Sequence, residues 1–173
     1  IEANFVLSGG IEEFSAAHNA RALREQIDRS GAQTIIDQTA ASLATRLRTT
    51  GKPDLDLLMN RNFLFTEFFA WGRTIDTEQL VGITSRSPRY YVSAAYWDRD
   101  AMLWSFPALL DSDPALARDA LEYALTIQLR NTGTHSRFID GVVLEDGFQL
   151  DEAAAPVLAL ADYIKQTNDI AFL

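Results

Sequence analysis

Cysteine is absent from the 173 residues of this sequence. Without a thiol, the chain can form neither a disulfide nor a cysteine-ligated zinc site, and it has no nucleophile for thiol catalysis. Its two histidines, His18 and His135, do not match the spacing of metal ligands. No glycine-rich phosphate loop or nucleophile elbow is present. We therefore predict no metal site and no cofactor.

Positive charge is scarce. Lys and Arg number 15 against 24 Asp and Glu, which gives a net charge of −9 and a pI near 4.6. Nucleic acids and anionic membranes both select a basic face, so neither is an expected partner. Long apolar runs are also lacking, since the densest, 63–71, is interrupted by Thr66 and Glu67. No signal peptide is visible, and we expect a cytoplasmic protein whose oligomeric state is unknown.

A single, mostly helical domain is indicated by the length and by the 47% hydrophobic content. Apolar residues recur at helical spacing in six segments, which predicts helices near 11–30, 32–48, 54–71, 98–110, 114–131 and 151–166. The third of these carries aromatic residues on more than one face, and we expect it to be the most buried.

Two long connections separate these helices, at 72–96 and 132–149. Long ordered loops in compact domains are often functional. Within the second, Ile139-Asp140-Gly141-Val142 predicts a short hairpin with a type I′ turn. Strand signal is confined to that hairpin, so the predicted fold class is all-α.

The most informative stretch is 84–110, where a polar loop rich in Arg and Tyr leads into an apolar helix. At the helix start, Tyr96-Trp97-Asp98-Arg99-Asp100 places two carboxylates, a guanidinium and two aromatic rings together, whereas a helix cap needs only one carboxylate. Aromatic faces stack on sugar rings, and Arg and Asp can form paired hydrogen bonds to vicinal hydroxyls. We interpret this junction as the rim of a carbohydrate site.

A second polar cluster runs from His135 to Glu152, in the other long connection and at the start of the last helix. Paired carboxylates there could act as general acid and general base in glycoside hydrolysis. Acids at helix N-termini also serve simply as caps and dipole partners, and both readings stay open for Asp151 and Glu152.

The segment Tyr96-Trp97-Asp98-Arg99-Asp100-Ala101 resembles the aromatic-x-Arg-Asp signature of the six-hairpin, (α/α)6-barrel glycosidases. These include glucoamylases, glycogen-debranching α-1,6-glucosidases and metal-independent exo-α-mannosidases. The later segment Phe148-Gln149-Leu150-Asp151-Glu152 is similar to the next characteristic block of that group.

The resemblance implies that Arg99 and Asp100 hold the hydroxyls of the innermost sugar, with Trp97 as a wall of the site. Where mannosidase-like members have a glutamate, this chain has Gln149, an amide that cannot donate a catalytic proton. We therefore expect Asp151 to be the general acid, with Glu152 as second choice. The alternative is that Asp151 only binds substrate. The remaining predicted substrate-binding residues lie in the two long connections: Arg86, Tyr90, Tyr91, His135, Arg137, Asp140 and Gln149.

A complete barrel of this kind has six helical hairpins, whereas this chain predicts three. The resemblance therefore implies that residues 1–173 are the N-terminal part of one (α/α)6 domain, about half a toroid, truncated at both ends. The full-length parent would be an inverting α-glycosidase acting on an α-glucan or α-mannoside. Because the base would lie in the other half, we expect the chain alone to be inactive. The alternative is a helical bundle that binds a protein partner, since Tyr, Trp and Arg also dominate protein interfaces.

Overall fold

A computed structural model describes residues 5–84 and 95–173. The chain divides into two compact units, Ile1–Leu47 and Arg48–Leu173. Among the described residues, the protein is mostly helical, with six α-helices and two small antiparallel sheets.

The first unit consists of two helices, α1 (Glu13–Ser30) and α2 (Ala32–Ala44). Gly31 separates them with a φ of 80°, and its N–H donates to the carbonyl of Ile27. A left-handed φ is costly for any residue with a Cβ, which is why a glycine ends α1. The predicted boundary at Gly31 is confirmed. Neither helix contains a buried residue.

The second unit contains the other helices, and each of them begins within one residue of its predicted start when the π-helical segment from Arg99 is counted as the beginning of the 98–110 helix. The helix α5 has the predicted start, because the Asp113 carboxylate accepts a hydrogen bond of 3.1 Å from the N–H of Leu116. Two of the helices have non-α segments attached. The elements are α3 (Pro53–Ala70), a π-helical segment (Arg99–Ser105) continuing into α4 (Phe106–Ser112), α5 (Pro114–Tyr123) continuing through a π-helical segment (Ala124–Gln128) and a 3-10 turn (Leu129–Asn131), α6 (Leu150–Thr167), and a last 3-10 turn (Ile170–Phe172).

The all-α prediction is wrong in its restriction of strands to one hairpin. Strands β1 (Trp71–Arg73) and β2 (Leu80–Gly82) form an antiparallel pair inside the first long connection. Strand β3 (Ala95–Tyr96) pairs with β4 (Thr134–Phe138), which pairs in turn with β5 (Val143–Phe148). Strands of two or three residues are too short to show the alternating apolar pattern that identifies a strand in sequence.

The predicted hairpin exists, but its turn is not type I′. That turn requires a positive φ at both central residues, and among the described residues Asp140 is not one of the non-glycine residues with positive φ. Instead, the N–H of Gly141 donates to the carbonyl of Phe138 over 3.0 Å, and the N–H of Phe138 donates to the carbonyl of Val142 over 2.8 Å. Gly141 has the only positive φ that the turn needs, at 82°.

The core of the second unit lies between α4, α5 and α6, with β2 packed against them. Its fully or almost fully buried side chains include Val81, Met102, Phe106, Leu109, Leu121 and Ala159. The expectation that α3 is the most buried helix is wrong. Only Ala70 of α3 is buried, and Phe68 is 75% exposed, because neighbouring elements within the second unit cover little of this helix.

The helix α6 contains an internal proline. Pro156 lies beyond the first turn and is buried, yet the helix continues to Thr167. A proline inside a helix removes one hydrogen bond and crowds the preceding turn. Asn168 ends the helix with a left-handed φ of 57°.

Among the described residues, 5–84 and 95–173, none of the helices combines the length and the hydropathy that crossing a membrane requires.

Candidate functional site

The guanidinium of Arg99 is the centre of the candidate site. Its Nη1 donates to Asp151 Oδ2 over 2.9 Å and to Gln149 Oε1 over 3.2 Å. Its Nη2 lies 3.4 Å from Glu152 Oε1, and its Nε lies 3.3 Å from Asp100 Oδ2. Three carboxylates and one amide oxygen therefore surround one cation, at the point where two helix starts meet.

The backbone of Arg99 also contacts α6. The N–H of Arg99 donates to Glu152 Oε2 over 2.9 Å. This carboxylate thus satisfies one of the N–H groups that a helix start leaves without an intrahelical partner. Because Glu152 belongs to α6, the contact joins the start of the π-helical segment to the first turn of α6.

The π-helical geometry brings Trp104 to the same site. In an α-helix, residues five positions apart point about 140° away from each other, since each residue turns the chain by about 100°. A π-helix joins residues five apart by hydrogen bonds and turns such pairs toward one face. The Arg99 guanidinium accordingly lies 5.3 Å from the centre of the Trp104 ring. That ring is 66% exposed, so most of its surface is accessible to a ligand.

The three carboxyl groups around Arg99 have different electrostatic environments. A hydrogen bond from Arg99 lowers the pKa of Asp151, whose side chain is 48% exposed. Burial raises the pKa of Asp100, and the Arg99 charge only partly opposes this. Burial also raises the pKa of Glu152, which is fully buried. Asp151 is thus held ionised, whereas burial shifts the pKa of the other two groups in the opposite direction.

These shifts oppose the role expected of Asp151. A general acid must carry its proton near the working pH, and enzymes achieve this by raising the pKa of a carboxyl group. The structure moves the pKa of Asp151 in the other direction. Glu152, the second choice, has the appropriate pKa direction but no exposed surface. Asp100 combines a raised pKa with partial exposure.

A separate ion pair lies beneath this site. Arg137 Nη2 donates to Asp98 Oδ2, and both side chains are fully buried. Thr132 Oγ1 donates to the same carboxylate oxygen over 2.7 Å, and Arg137 Nη1 donates to the carbonyl of Asn131 over 2.6 Å. The guanidinium also lies 5.2 Å from the centre of the Tyr96 ring. Burial and the nearby Asp98 carboxylate raise the pKa of the Tyr96 phenol.

This pair holds the β4–β5 hairpin against the segment that leads into Arg99. Arg137 was predicted to bind substrate, but its buried side chain has no surface to offer to a ligand. The adjacent residues Asp98 and Arg99 therefore contact different elements. Asp98 binds Arg137 of the hairpin, whereas Arg99 contacts the start of α6.

The hairpin is also fixed at its turn. Gln128 Nε2 donates to the carbonyls of Phe138 and Ile139, over 3.1 and 3.2 Å. Asn131 Nδ2 donates to the carbonyl of Gly141 over 2.8 Å. The turn residue Asp140 is exposed, and its carboxylate accepts a hydrogen bond from the N–H of Val142. None of its described hydrogen bonds reaches the Arg99 cluster, by which we mean Arg99 with Asp100, Gln149, Asp151 and Glu152.

Most of the other predicted site residues that the structure describes lie around Arg99. Asp100, Gln149, Asp151 and Glu152 contact Arg99 directly, and His135 contacts Gln149. Trp97 is half-buried at the same helix start. Arg86, Tyr90 and Tyr91 lie outside the described residues. Trp104 was missed as a site residue because its spacing reads as part of the apolar helix face. Its spacing of five from Arg99 becomes meaningful only in a π-helix.

A metal centre has no support in the described part of the chain, where no three histidine or acidic side chains gather closely enough to hold an ion. Comparison of the chain with protein-family models, with curated proteins and with solved structures found no match.

Proposed function

We propose that the Arg99 cluster is the innermost sugar-binding subsite of a glycoside hydrolase, an inverting α-glycosidase acting on an α-glucan or an α-mannoside. One observation carries the proposal. The two segments that resemble characteristic blocks of the (α/α)6 glycosidases meet in space, through the 2.9 Å hydrogen bond between Arg99 and Asp151.

The chemistry of the cluster suits a carbohydrate. Arg99 supplies donors, while the ionised Asp151 supplies acceptors for sugar hydroxyls. The exposed Trp104 ring supplies an apolar face against which the C–H groups of a pyranose can pack. A site made of donors, acceptors and one aromatic wall matches the mixed surface of a sugar ring.

Within this proposal, Asp100 is the group best suited to protonate a glycosidic oxygen, because burial favours its protonated form while part of its side chain stays accessible. Asp151 then binds hydroxyls, and Glu152 holds the backbone of Arg99. Inverting hydrolysis also needs a base about 6.5–9.5 Å from the acid. We assign that base to the remainder of an (α/α)6 toroid, of which this chain would be about half.

Ligand-detected NMR tests the proposal, with D-glucose, D-mannose and their α-linked disaccharides as probes. We expect the wild-type chain to bind at least one of these sugars, and Arg99→Lys to lose that binding because a lysine cannot bridge several acceptors in one plane. Arg118→Lys is the matched control. Arg118 lies on α5, away from the candidate site, but it also contacts two carboxylates, Glu122 and Asp169, and lies 4.8 Å from an aromatic ring centre.

Binding that survives in Arg118→Lys and disappears in Arg99→Lys supports the subsite. Absence of binding to every hexose probe, or equal loss in both variants, overturns it.

The second candidate is a module that binds a protein partner. It is favoured by the exposed apolar side chains along α3, which include Leu57, Leu58 and Phe68. The same experiment separates the two candidates, because such a module has no reason to bind monosaccharides at Arg99.

A further inference from the structure

A chain of hydrogen bonds leads from the Arg99 cluster to the β4–β5 hairpin. Arg99 Nη1 contacts Gln149 Oε1 over 3.2 Å, and Gln149 Nε2 lies 2.8 Å from His135 Nδ1. On the far side of the ring, His135 Nε2 lies 3.4 Å from Glu145 Oε2, which also accepts a 2.9 Å hydrogen bond from Ser136 Oγ. We call these side chains, Gln149, His135 and Glu145, the relay.

The donors and acceptors of the relay can be assigned from Arg99. A guanidinium has only N–H donors, so the Gln149 atom that faces it must be the amide oxygen. The Gln149 NH2 group then faces His135 and donates to Nδ1, which must carry a lone pair. The proton of a neutral imidazole therefore sits on Nε2, where it points at the Glu145 carboxylate.

We propose that His135 and Glu145 are positioning residues, which act through Gln149 to fix the orientation of the Arg99 guanidinium. The proposal rests on the proposed sugar subsite for its functional consequence, but not for its geometry. It changes the role of His135, which was predicted to bind substrate. The His135 ring instead accepts a hydrogen bond from the Gln149 amide, whose oxygen accepts from Arg99.

The relay also gives a physical reason for an amide at position 149. A glutamate there could accept from Arg99 but has no N–H to donate to His135. Its second oxygen would face the lone pair on Nδ1, a repulsion that is relieved when the ring proton sits on Nδ1 instead of Nε2. The residue at 149 thus decides which nitrogen of His135 is protonated.

Long-range ¹H–¹⁵N correlation NMR of the wild-type chain tests this directly, because it distinguishes protonated from unprotonated ring nitrogens. The chain has two histidines, and a His18→Gln variant assigns their signals. We expect Nδ1 of His135, which faces the Gln149 NH2 group, to be the unprotonated ring nitrogen. We expect Gln149→Glu to place a proton on Nδ1, and Gln149→Leu to leave an averaged mixture. A wild-type His135 with its proton on Nδ1, or one that does not respond to either substitution, overturns the relay.

Sugar affinity provides the functional readout. Gln149→Leu and His135→Leu should each weaken binding of the best hexose probe by about two- to tenfold, the factor that one ordinary hydrogen bond supplies. His135→Asn should recover most of that loss, because an asparagine oxygen can occupy the position of Nδ1. Equal losses in His135→Leu and His135→Asn overturn the positioning role. A wild-type chain that shows the expected tautomer yet binds no sugar refutes the subsite and leaves the relay standing.

Discussion

Asp151 accepts a 2.9 Å hydrogen bond from Arg99, a residue 52 positions earlier in the chain. The next residue, Glu152, accepts from the N–H of the same arginine and lies 3.4 Å from its guanidinium. The first turn of α6 thus contacts both the backbone N–H and the guanidinium of Arg99. This arrangement makes Arg99 the link between two helix starts, and it leads to a prediction about stability.

Arg99→Leu should destabilise the second unit by about 1–3 kcal/mol, because it leaves the buried Glu152 carboxyl without its guanidinium partner. The double variant Arg99→Leu/Glu152→Gln should recover part of this loss, since the amide carries no charge and can still accept from the backbone. Urea unfolding of the four proteins in this cycle measures the coupling. Arg118→Leu is the control and should cost less than about 1 kcal/mol, because its ion pairs are more exposed. Additive effects of the two substitutions at 99 and 152 would contradict the prediction.

The buried pair of Asp98 and Arg137 should be more sensitive. Asp98→Ala or Arg137→Ala should each cost about 3–5 kcal/mol, the usual penalty for leaving one buried charge without its partner. The exposed pair of Asp162 and Lys165 provides the comparison, and Lys165→Ala should change the free energy of unfolding by less than about 1 kcal/mol. Thermal and urea unfolding measure both. Similar small effects at the two pairs would show that Arg137 is not the anchor of the hairpin.

The helical part of the fold could be read from sequence because apolar periodicity and helix ends leave local signals. Gly31 after α1 and the Asp113-Pro114 pair before α5 are examples, and both mark the observed ends. The short strands leave no such signal, since β3 spans only Ala95 and Tyr96 and is defined by its pairing with β4. Pairing between distant segments is a tertiary property, and no local pattern specifies it.

The candidate site, too, could be predicted only in part from local sequence signals. The chemical types at Asp98, Arg99 and Asp100 marked the segment, but not which carboxylate would be buried or ionised. Arg137 and Arg99 look equally suited to bind a ligand in sequence, and only the fold buries one and leaves the other partly exposed. Trp104 was predicted only as part of an apolar run at α-helical spacing, whereas the chain forms a π-helix there.

Gly141 should resist substitution for two reasons that can be separated. Its φ of 82° disfavours any residue with a Cβ, and an added Cβ would lie 2.4 Å from the carbonyl oxygen of Ile127. Gly51 has nearly the same φ, 80°, with open space around it. Gly51→Ala should therefore cost about 1–2 kcal/mol, the price of the left-handed backbone alone.

Gly141→Ala should cost about 1–3 kcal/mol more than Gly51→Ala, because the turn must also move away from Ile127. Chemical unfolding of the two alanine variants gives the difference. Equal costs would mean that the hairpin turn moves freely against the segment 124–131 that follows α5, contrary to its hydrogen bonds from Gln128 and Asn131.

The pH dependence of stability should have opposite signs at neighbouring residues of α6. Burial raises the pKa of Glu152 above its usual 4.5, so the unfolded chain releases this proton at a lower pH than the folded chain does. As the pH rises from about 4.5 toward the folded pKa, the folded state binds more protons than the unfolded state, and the free energy of unfolding falls. Asp151 has a pKa below its usual 3.8, so its contribution is present above about pH 4 and is lost as the pH falls through the folded pKa.

Urea unfolding between about pH 3 and pH 8 can separate the two contributions when wild type is compared with Glu152→Gln and Asp151→Asn. The stability of Glu152→Gln relative to wild type should increase with pH above about 4.5, by no more than about 1.4 kcal/mol per pH unit for one proton. The stability of Asp151→Asn relative to wild type should instead decrease as the pH rises through the acidic range. Other titrating groups are common to all three proteins, so they cancel in these differences where they do not contact the substituted residue. If neither difference in the free energy of unfolding changes with pH, the electrostatic distinction between Asp151 and Glu152 is wrong. The assignment of Asp151 as an ionised sugar ligand is then wrong as well.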